Sequence, residues 1–326
     1  MLKGAQIALD EANGTGGVDG KRLALDQGDD KADPAAAPAV AQKLAADGVA
    51  AVVGPATSGP AVAAATTLNQ AKVPMITPTA NDPKITSSQL PYVLRATGRW
   101  DQEPPLLAEQ LLKQPSTAKV ALVADKSSYG QVLAAGMRQA LSKGGALPVA
   151  EETVESGTKD FAAVVSKVKA QAAGSVFYGG YAAEGAALAK ALRASGVQPT
   201  LAMGDAAEDQ TLISTGGAAV EGLLLAYPPD PKQVPSAAAF LDAYKRRYGT
   251  AASLYALSTY DTVRLLADAL RRGGTDAEAL RKAISGTRDF NGVYWGKMSF
   301  DGSGDLQART YTLWTVRNGK FEQVAG

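Results

Sequence analysis

The chain has 326 residues, enough for two domains, with 46% hydrophobic and 20% charged residues, as in ordinary soluble globular proteins. A net charge of +1 argues against a nucleic-acid partner, which usually leaves a basic footprint. Cysteine and histidine are both absent, which excludes disulfides, thiolate catalysis and Cys-based metal sites and removes the commonest general base and zinc ligand.

Met1 leads into LKGAQIALDEAN, which alternates charged and apolar residues and does not read as a secretory leader. Apolar positions at three- and four-residue spacing predict helices over 2–13, 38–47, 62–70, 105–113, 132–143, 160–171, 184–195, 236–248, 260–272 and 275–285. Short β-rich runs predict strands at 23–25, 50–53, 74–76, 120–123, 175–178, 200–203 and 222–226. Strand and helix alternate, so the expected fold class is α/β, with parallel sheets covered by helices on both faces. After Arg288 the tail turns aromatic and β-branched, with DGSGD and NGK as tight turns, and reads as an antiparallel or edge addition. No apolar run reaches the length of a membrane span.

One unit recurs: AAVVG-PATSG, ALVAD-KSSYG and SVFYG-GYAAE each place a Gly-containing polar loop after a strand and before a helix. Such loops lie at the carboxyl ends of parallel strands, where ligands bind. In GPATSG, Thr57 and Ser58 offer hydroxyls and the helix start offers free N–H groups to an anion; the plainer reading is a βα connection with a capping hydroxyl. The loop is not a P-loop, because Pro60 and Ala61 stand where Lys and Ser/Thr are required. ITPTANDP crowds Thr77, Thr79, Asn81 and Asp82 into a second strand-to-loop switch, or an Asx turn before Pro83. Tyr129 and Tyr181 follow strands, where they can stack on a ligand or pack at a sheet edge. Asp205, after a strand and a glycine, suits a ligand ammonium or a helix N-cap. ANGTGGVDGK follows a helix rather than a strand and reads as a helix stop plus turn. DGSGD lacks the Glu that a calcium loop needs at its twelfth position, where Thr312 stands. No nucleophile–base pair assembles, so no catalytic residue, metal site or cofactor is assigned.

The ordered set KGAQIALDEAN…GGVDGKRL, VAAVVGPATSG, VPMITPTANDPKIT, LRATGRWDQ, VALVADKSSYGQ, SGTKDFAAVVSKVKA, VFYGGYAAEGAALAKALRASG, AAVEGLLLAYP, YALSTYDTVRLLADAL and MSFDGSGDLQ spans nearly the whole chain. It resembles the periplasmic branched-chain amino-acid binding proteins of ABC transporters, the type I leucine/isoleucine/valine-binding family. The resemblance implies two doubly wound parallel-sheet lobes, 1–99 plus 229–305 and 100–228 plus 306–326, joined by three crossover strands with a ligand cleft between them. It implies an extracytoplasmic or periplasmic, monomeric, non-enzymatic carrier. That carrier would clamp a small free amino acid, branched-chain aliphatic first, and deliver it to an ABC permease. GABA or an aromatic amino acid, or a ligand-sensing receptor domain on the same fold, are the alternatives.

By the same resemblance, Ser58 falls on the serine of the carboxylate-binding loop and Thr79 where a backbone carbonyl accepts from the ammonium. Asn81 replaces a Thr of the leucine binders, and Asp205 lies near the acidic ammonium partner. Tyr129, Tyr181 and Tyr255 fall on pocket-lining positions. Trp100 replaces a smaller polar residue and would reshape the pocket if it faces the cleft. Family members open with a strand and Gly-rich loop before the helix that here follows Met1, so that part of the first sheet is expected to be missing.

Overall fold

The computed structural model describes residues 1–324. The chain divides into two units, Met1–Arg99 with Asp230–Thr310, and Trp100–Pro229 with Tyr311–Gly326, so it passes from one to the other three times.

The first unit begins with α1 (Leu2–Gly14), α2 (Ala37–Ala46), β1 (Val52–Val53), α3 (Ser58–Gln70), β2 (Met75–Thr77), α4 (Lys84–Ser87) and β3 (Val93–Arg95). β1, β2 and β3 form a parallel sheet in that order, pairing Val52 with Met75 and Met75 with Val93. Residues 22–30 form no strand, contrary to the expectation for 23–25. β1 is the edge of its sheet, and this segment does not pair with it. Near its start it is anchored by Asn13, whose side chain bonds both the N–H and the carbonyl of Leu23.

The second unit follows with α5 (Glu103–Leu112), β4 (Val120–Asp125), α6 (Ser128–Lys143), β5 (Ala150–Val154), α7 (Ala162–Ala170), β6 (Ser175–Gly179), α8 (Ala182–Ala194), β7 (Thr200–Met203), α9 (Gln210–Gly216) and β8 (Leu224–Tyr227). The chain returns to the first unit for α10 (Ala238–Tyr248), α11 (Leu254–Gly273), α12 (Ala277–Ser285), β9 (Phe290–Asn291) and β10 (Lys297–Met298). It closes in the second with β11 (Thr312–Arg317) and β12 (Lys320–Gln323).

The seven-stranded sheet of the second unit runs β12-β11-β8-β7-β6-β4-β5. β5, β4, β6, β7 and β8 are mutually parallel, and β11 and β12 are antiparallel additions. Interior position explains sequence: every residue of β4, VALVAD, is buried, as a strand covered on both faces requires. The edge strand β5, AEETV, alternates half-buried with exposed residues, which hid it from a search for apolar runs. Its Glu151 and Glu152 pair with Arg138 and Lys167. Asn318 and Gly319, with φ of 51° and 66°, make the two-residue turn between β11 and β12 that NGK announces.

Separate apolar clusters stabilise each unit. In the first, α1 and α11 bring Ile7, Ala8, Leu257 and Tyr260 together with Phe300. Gly4 allows this approach, since a Cβ there would lie 2.0 Å from the Ala256 carbonyl oxygen. In the second, Val123, Val176, Leu201 and Leu225 pack on one side, and Leu122, Phe177 and Ala202 on the other. That split follows the two-residue period of the strands.

Candidate functional site

In the first unit the loops after β1 and β2 meet. Gly54, at φ 143°, turns the chain out of β1 in a backbone region that favours glycine. Thr57 is the residue before α3, yet no side chain caps that helix end. Capping by a hydroxyl, the plainer reading of GPATSG, is therefore not what Thr57 does. Pro60 has no N–H, and the N–H groups that open α3 point into the loop region, the arrangement that favours an anion.

Ser58 is turned toward the neighbouring loop instead. Its hydroxyl donates to Asn81 Oδ1 at 3.3 Å and accepts from the N–H groups of Asn81 and Asp82, each at 3.3 Å. Thr79 Oγ1 donates to the Ala56 carbonyl at 2.6 Å, and Thr77 Oγ1 to that of Pro55 at 2.9 Å. From α11, Ser258 donates to the Pro78 carbonyl at 2.6 Å. Tyr255, one turn earlier on α11, stands half exposed.

Beneath this loop lies an ion cluster. Arg95 is fully buried; it donates to the carbonyl of Asp82 at 2.7 Å, to Thr86 at 2.7 Å and to Asp305. Arg99 pairs with the other Asp305 oxygen at 2.9 Å. Burial alone would raise the Asp305 carboxyl, but the Arg95 charge and the hydrogen bonds from Thr86, Arg95 and Arg99 outweigh it and hold it below its usual value. Sequence reading missed this cluster, because Arg95 and Asp305 are far apart in the chain and look like surface charges.

In the second unit, four of the expected residues come together. Trp100, in a single turn before α5, meets the Tyr129 ring edge-on at 5.2 Å between centroids. Tyr129 in turn stacks at a tilt on Tyr181, 5.6 Å away. The Tyr129 hydroxyl donates to Asp205 Oδ1 at 2.8 Å and accepts from the Ala206 N–H at 3.2 Å. Tyr129 itself is 4% exposed, whereas Tyr181 is 45% exposed, so the aromatic row runs from interior to surface.

Glu103 lies under Asp205. It is wholly buried, and its Oε2 accepts from the Asp205 N–H at 2.8 Å. Burial, and then the Asp205 carboxylate beside it, push the Glu103 carboxyl well above its usual value. Burial and the same two acids raise the Tyr129 phenol, so it stays a hydrogen-bond donor.

A hollow of about 540 Å³ along α5 and α6, lined by Ala108, Leu112, Gly136 and Ala140, contains none of these groups. The Glu109, Lys113 and Lys143 that border it are exposed, so no buried polar group marks it as a site. Among the described residues, no cluster of three or more acids is placed to hold a metal ion. No helix among them is long and apolar enough to cross a membrane.

The profile of the periplasmic binding proteins matches residues 1–320. The chain belongs to that family. This periplasmic binding protein is 33% identical over 323 residues to a Leu/Ile/Val-binding protein of Rhizobium johnstonii, covering 98% of this chain and 88% of that one. Among solved structures, it resembles the branched-chain amino-acid transporter substrate-binding protein of Streptococcus pneumoniae in complex with isoleucine. That match has 30% identity and a TM-score of 0.79, over 99% of this chain and 93% of the other. It also resembles an ABC transporter substrate-binding protein of Desulfitobacterium hafniense in complex with Leu, with 27% identity, a TM-score of 0.84, and coverage of 99% and 95%. The fold is therefore that of the type I periplasmic binding proteins.

Within this fold, Ser58, Asn81 and Thr79 share one loop pair of the first unit, with Thr57 beside Ser58. Trp100, Tyr129, Tyr181 and Asp205 share one cluster of the second. Sequence reading missed Glu103: in WDQEPP it resembles an ordinary acidic residue opening a helix, and only the fold brings it beneath residue 205.

Proposed function

We propose that this periplasmic binding protein holds a free amino acid, branched-chain aliphatic in the first instance, and passes it to the permease of an ABC transporter outside the cytoplasm. The uncapped start of α3, with Ser58 beside it, has the donors a carboxylate needs, and Asp205 has the charge an ammonium needs. An amino acid carries both groups. The observation that carries the reading is Asp205: its carboxylate is held by the Tyr129 hydroxyl in a cluster of aromatic rings, a polar anchor set among apolar contacts. Isoleucine and leucine sit in two relatives of the same fold. The role is binding without turnover, and the protein acts as a monomer.

The row Trp100–Tyr129–Tyr181 favours a second reading, in which the ligand is an aromatic amino acid whose ring continues the stack. Calorimetric titration with leucine, isoleucine, valine, phenylalanine, tryptophan and GABA distinguishes the two. Micromolar or tighter binding of an aliphatic member supports the first reading; preference for phenylalanine or tryptophan supports the second. A folded protein that binds none of them refutes both.

A further inference from the structure

We propose that Glu103 is the positioning residue for Asp205: it fixes the loop that presents the Asp205 carboxylate and acts on ligand only through it. The inference rests on Asp205 being the ammonium acceptor and goes one layer beneath it.

Three observations carry it. First, Glu103 has no exposed surface, so it cannot itself touch a ligand held at Asp205. Second, its Oε2 accepts the Asp205 N–H at 2.8 Å, at the point where the chain leaves β7. Third, the space between them is closed by design of the chain. A Cβ on Gly204 would lie 2.5 Å from Glu103 Oε2, 2.4 Å from the Tyr129 hydroxyl and 2.6 Å from Leu133 Cδ1. Glycine at 204 is what lets α5, α6 and the β7 end approach closely enough for the bond to form.

The charges around Glu103 decide how it works. The groups facing it are Asp205, the Tyr129 phenol and the Tyr311 hydroxyl, which hydrogen-bonds to its carboxyl. An ionised Glu103 would therefore repel Asp205 in a buried setting. Its Oε2 offers an acceptor to the Asp205 backbone, and the raised carboxyl favours the form that adds no second negative charge. Its Oε1 is buried with no hydrogen-bond partner among the described residues.

The test is a double-mutant cycle read by titration with leucine or isoleucine, whichever the wild-type protein binds. Glu103→Ala is expected to weaken binding about 10–30-fold, the scale of one lost hydrogen bond in a buried polar cluster. Glu103→Gln, neutral and of the same shape, restores affinity to within about threefold of wild type, because its amide oxygen accepts the same N–H. In an Asp205→Asn background, Glu103→Ala costs less than about threefold, since the group it positions is already gone. Thermal unfolding of each variant checks that it is folded, and Glu103→Gln keeps the test decisive if the alanine variant is not. Equal losses in Gln and Ala, or full additivity with Asp205→Asn, overturn the proposal while leaving the amino-acid reading intact. Asp205→Asn binding as tightly as wild type would instead overturn the role given to Asp205 itself.

Discussion

Gly204→Ala tests the packing beneath Asp205 with the smallest possible change. The backbone at Gly204 has φ −82° and ψ −174°, open to any residue, so the substitution introduces no backbone strain. Its effect comes from space alone. The new methyl would meet three buried groups, the Tyr129 hydroxyl, Glu103 Oε2 and Leu133 Cδ1, each closer than 2.7 Å. None can swing into solvent: Leu133 and Glu103 are fully buried and Tyr129 is 4% exposed. Overpacking of this kind costs about 1–3 kcal/mol. At roughly 2–4 °C per kcal/mol, the melting temperature falls by about 2–12 °C. Relief comes most cheaply by moving the loop outward, which lengthens the bonds from Asp205 N–H to Glu103 and from Tyr129 to Asp205. Leucine or isoleucine binding should then weaken by about tenfold or more, the equivalent of one bond to a charged group. Differential scanning calorimetry and titration read both effects. A Gly204→Ala protein with unchanged melting temperature and unchanged affinity would refute the reasoning.

Tyr129→Phe removes the donor to Asp205 and the acceptor of Ala206 N–H; because Asp205 is half exposed and water replaces part of the loss, titration should show about 5–20-fold weaker binding. Ser58→Ala cuts three long bonds of 3.3 Å, so stability measured by denaturant changes by less than about 1 kcal/mol while ligand affinity drops. Arg95→Leu leaves Asp305 buried beside Arg99 alone and unties Asp82 and Thr86; denaturant titration should give a loss of about 3–5 kcal/mol. The Asp305 carboxyl is depressed in the folded state, so its stabilisation is present above the unfolded carboxyl range and lost as pH falls below it; Asp305→Asn should flatten the melting-temperature profile below about pH 4. Glu103 has the opposite sign: its raised carboxyl stabilises below the unfolded value and loses that contribution as pH rises, so Glu103→Gln should gain melting temperature over wild type progressively above about pH 5.

What the sequence discloses depends on how local the physics is. β4 and β6 are legible because an interior parallel strand is buried along its length, and the runs VALVA of VALVAD and VFY of SVFYG are the apolar signal of that burial. β5 is not, because an edge strand tolerates Glu151 and Glu152 as long as Arg138 and Lys167 answer them. The run LAL at 23–25 misleads for the converse reason: β propensity becomes a strand only by pairing, and this run does not pair with the edge strand β1. Helix starts slip where apolar spacing is late to declare itself, so α3 begins at Ser58 and α11 at Leu254, several residues before the periodic signal. Among the site residues, Ser58, Tyr129 and Asp205 are visible because each follows a strand directly. Glu103 and Arg95 act across about one hundred and two hundred residues of chain, respectively, and no local pattern distinguishes them from surface charges.

The arrangement at Asp205 also bears on which cations this site suits. Two ionised carboxylates side by side would favour a dication or a diamine. Here the second acid is buried and its carboxyl is raised well above its usual value by that burial and by Asp205, which disfavours a second negative charge beside the first. One negative charge, oriented by a phenol that itself cannot ionise at neutral pH, matches one ammonium. The aromatic rings of Trp100, Tyr129 and Tyr181 around it lower the local polarity, which strengthens that single ion pair and penalises any further charge on the ligand. A ligand with a second, side-chain ammonium would have to bury it here without a partner anion, at a cost far above the worth of the methylenes that carry it. With Asp205 as the ammonium acceptor, the raised Glu103 carboxyl, which disfavours a second negative charge there, favours a monoamine with an uncharged side chain, the class to which the branched-chain amino acids belong.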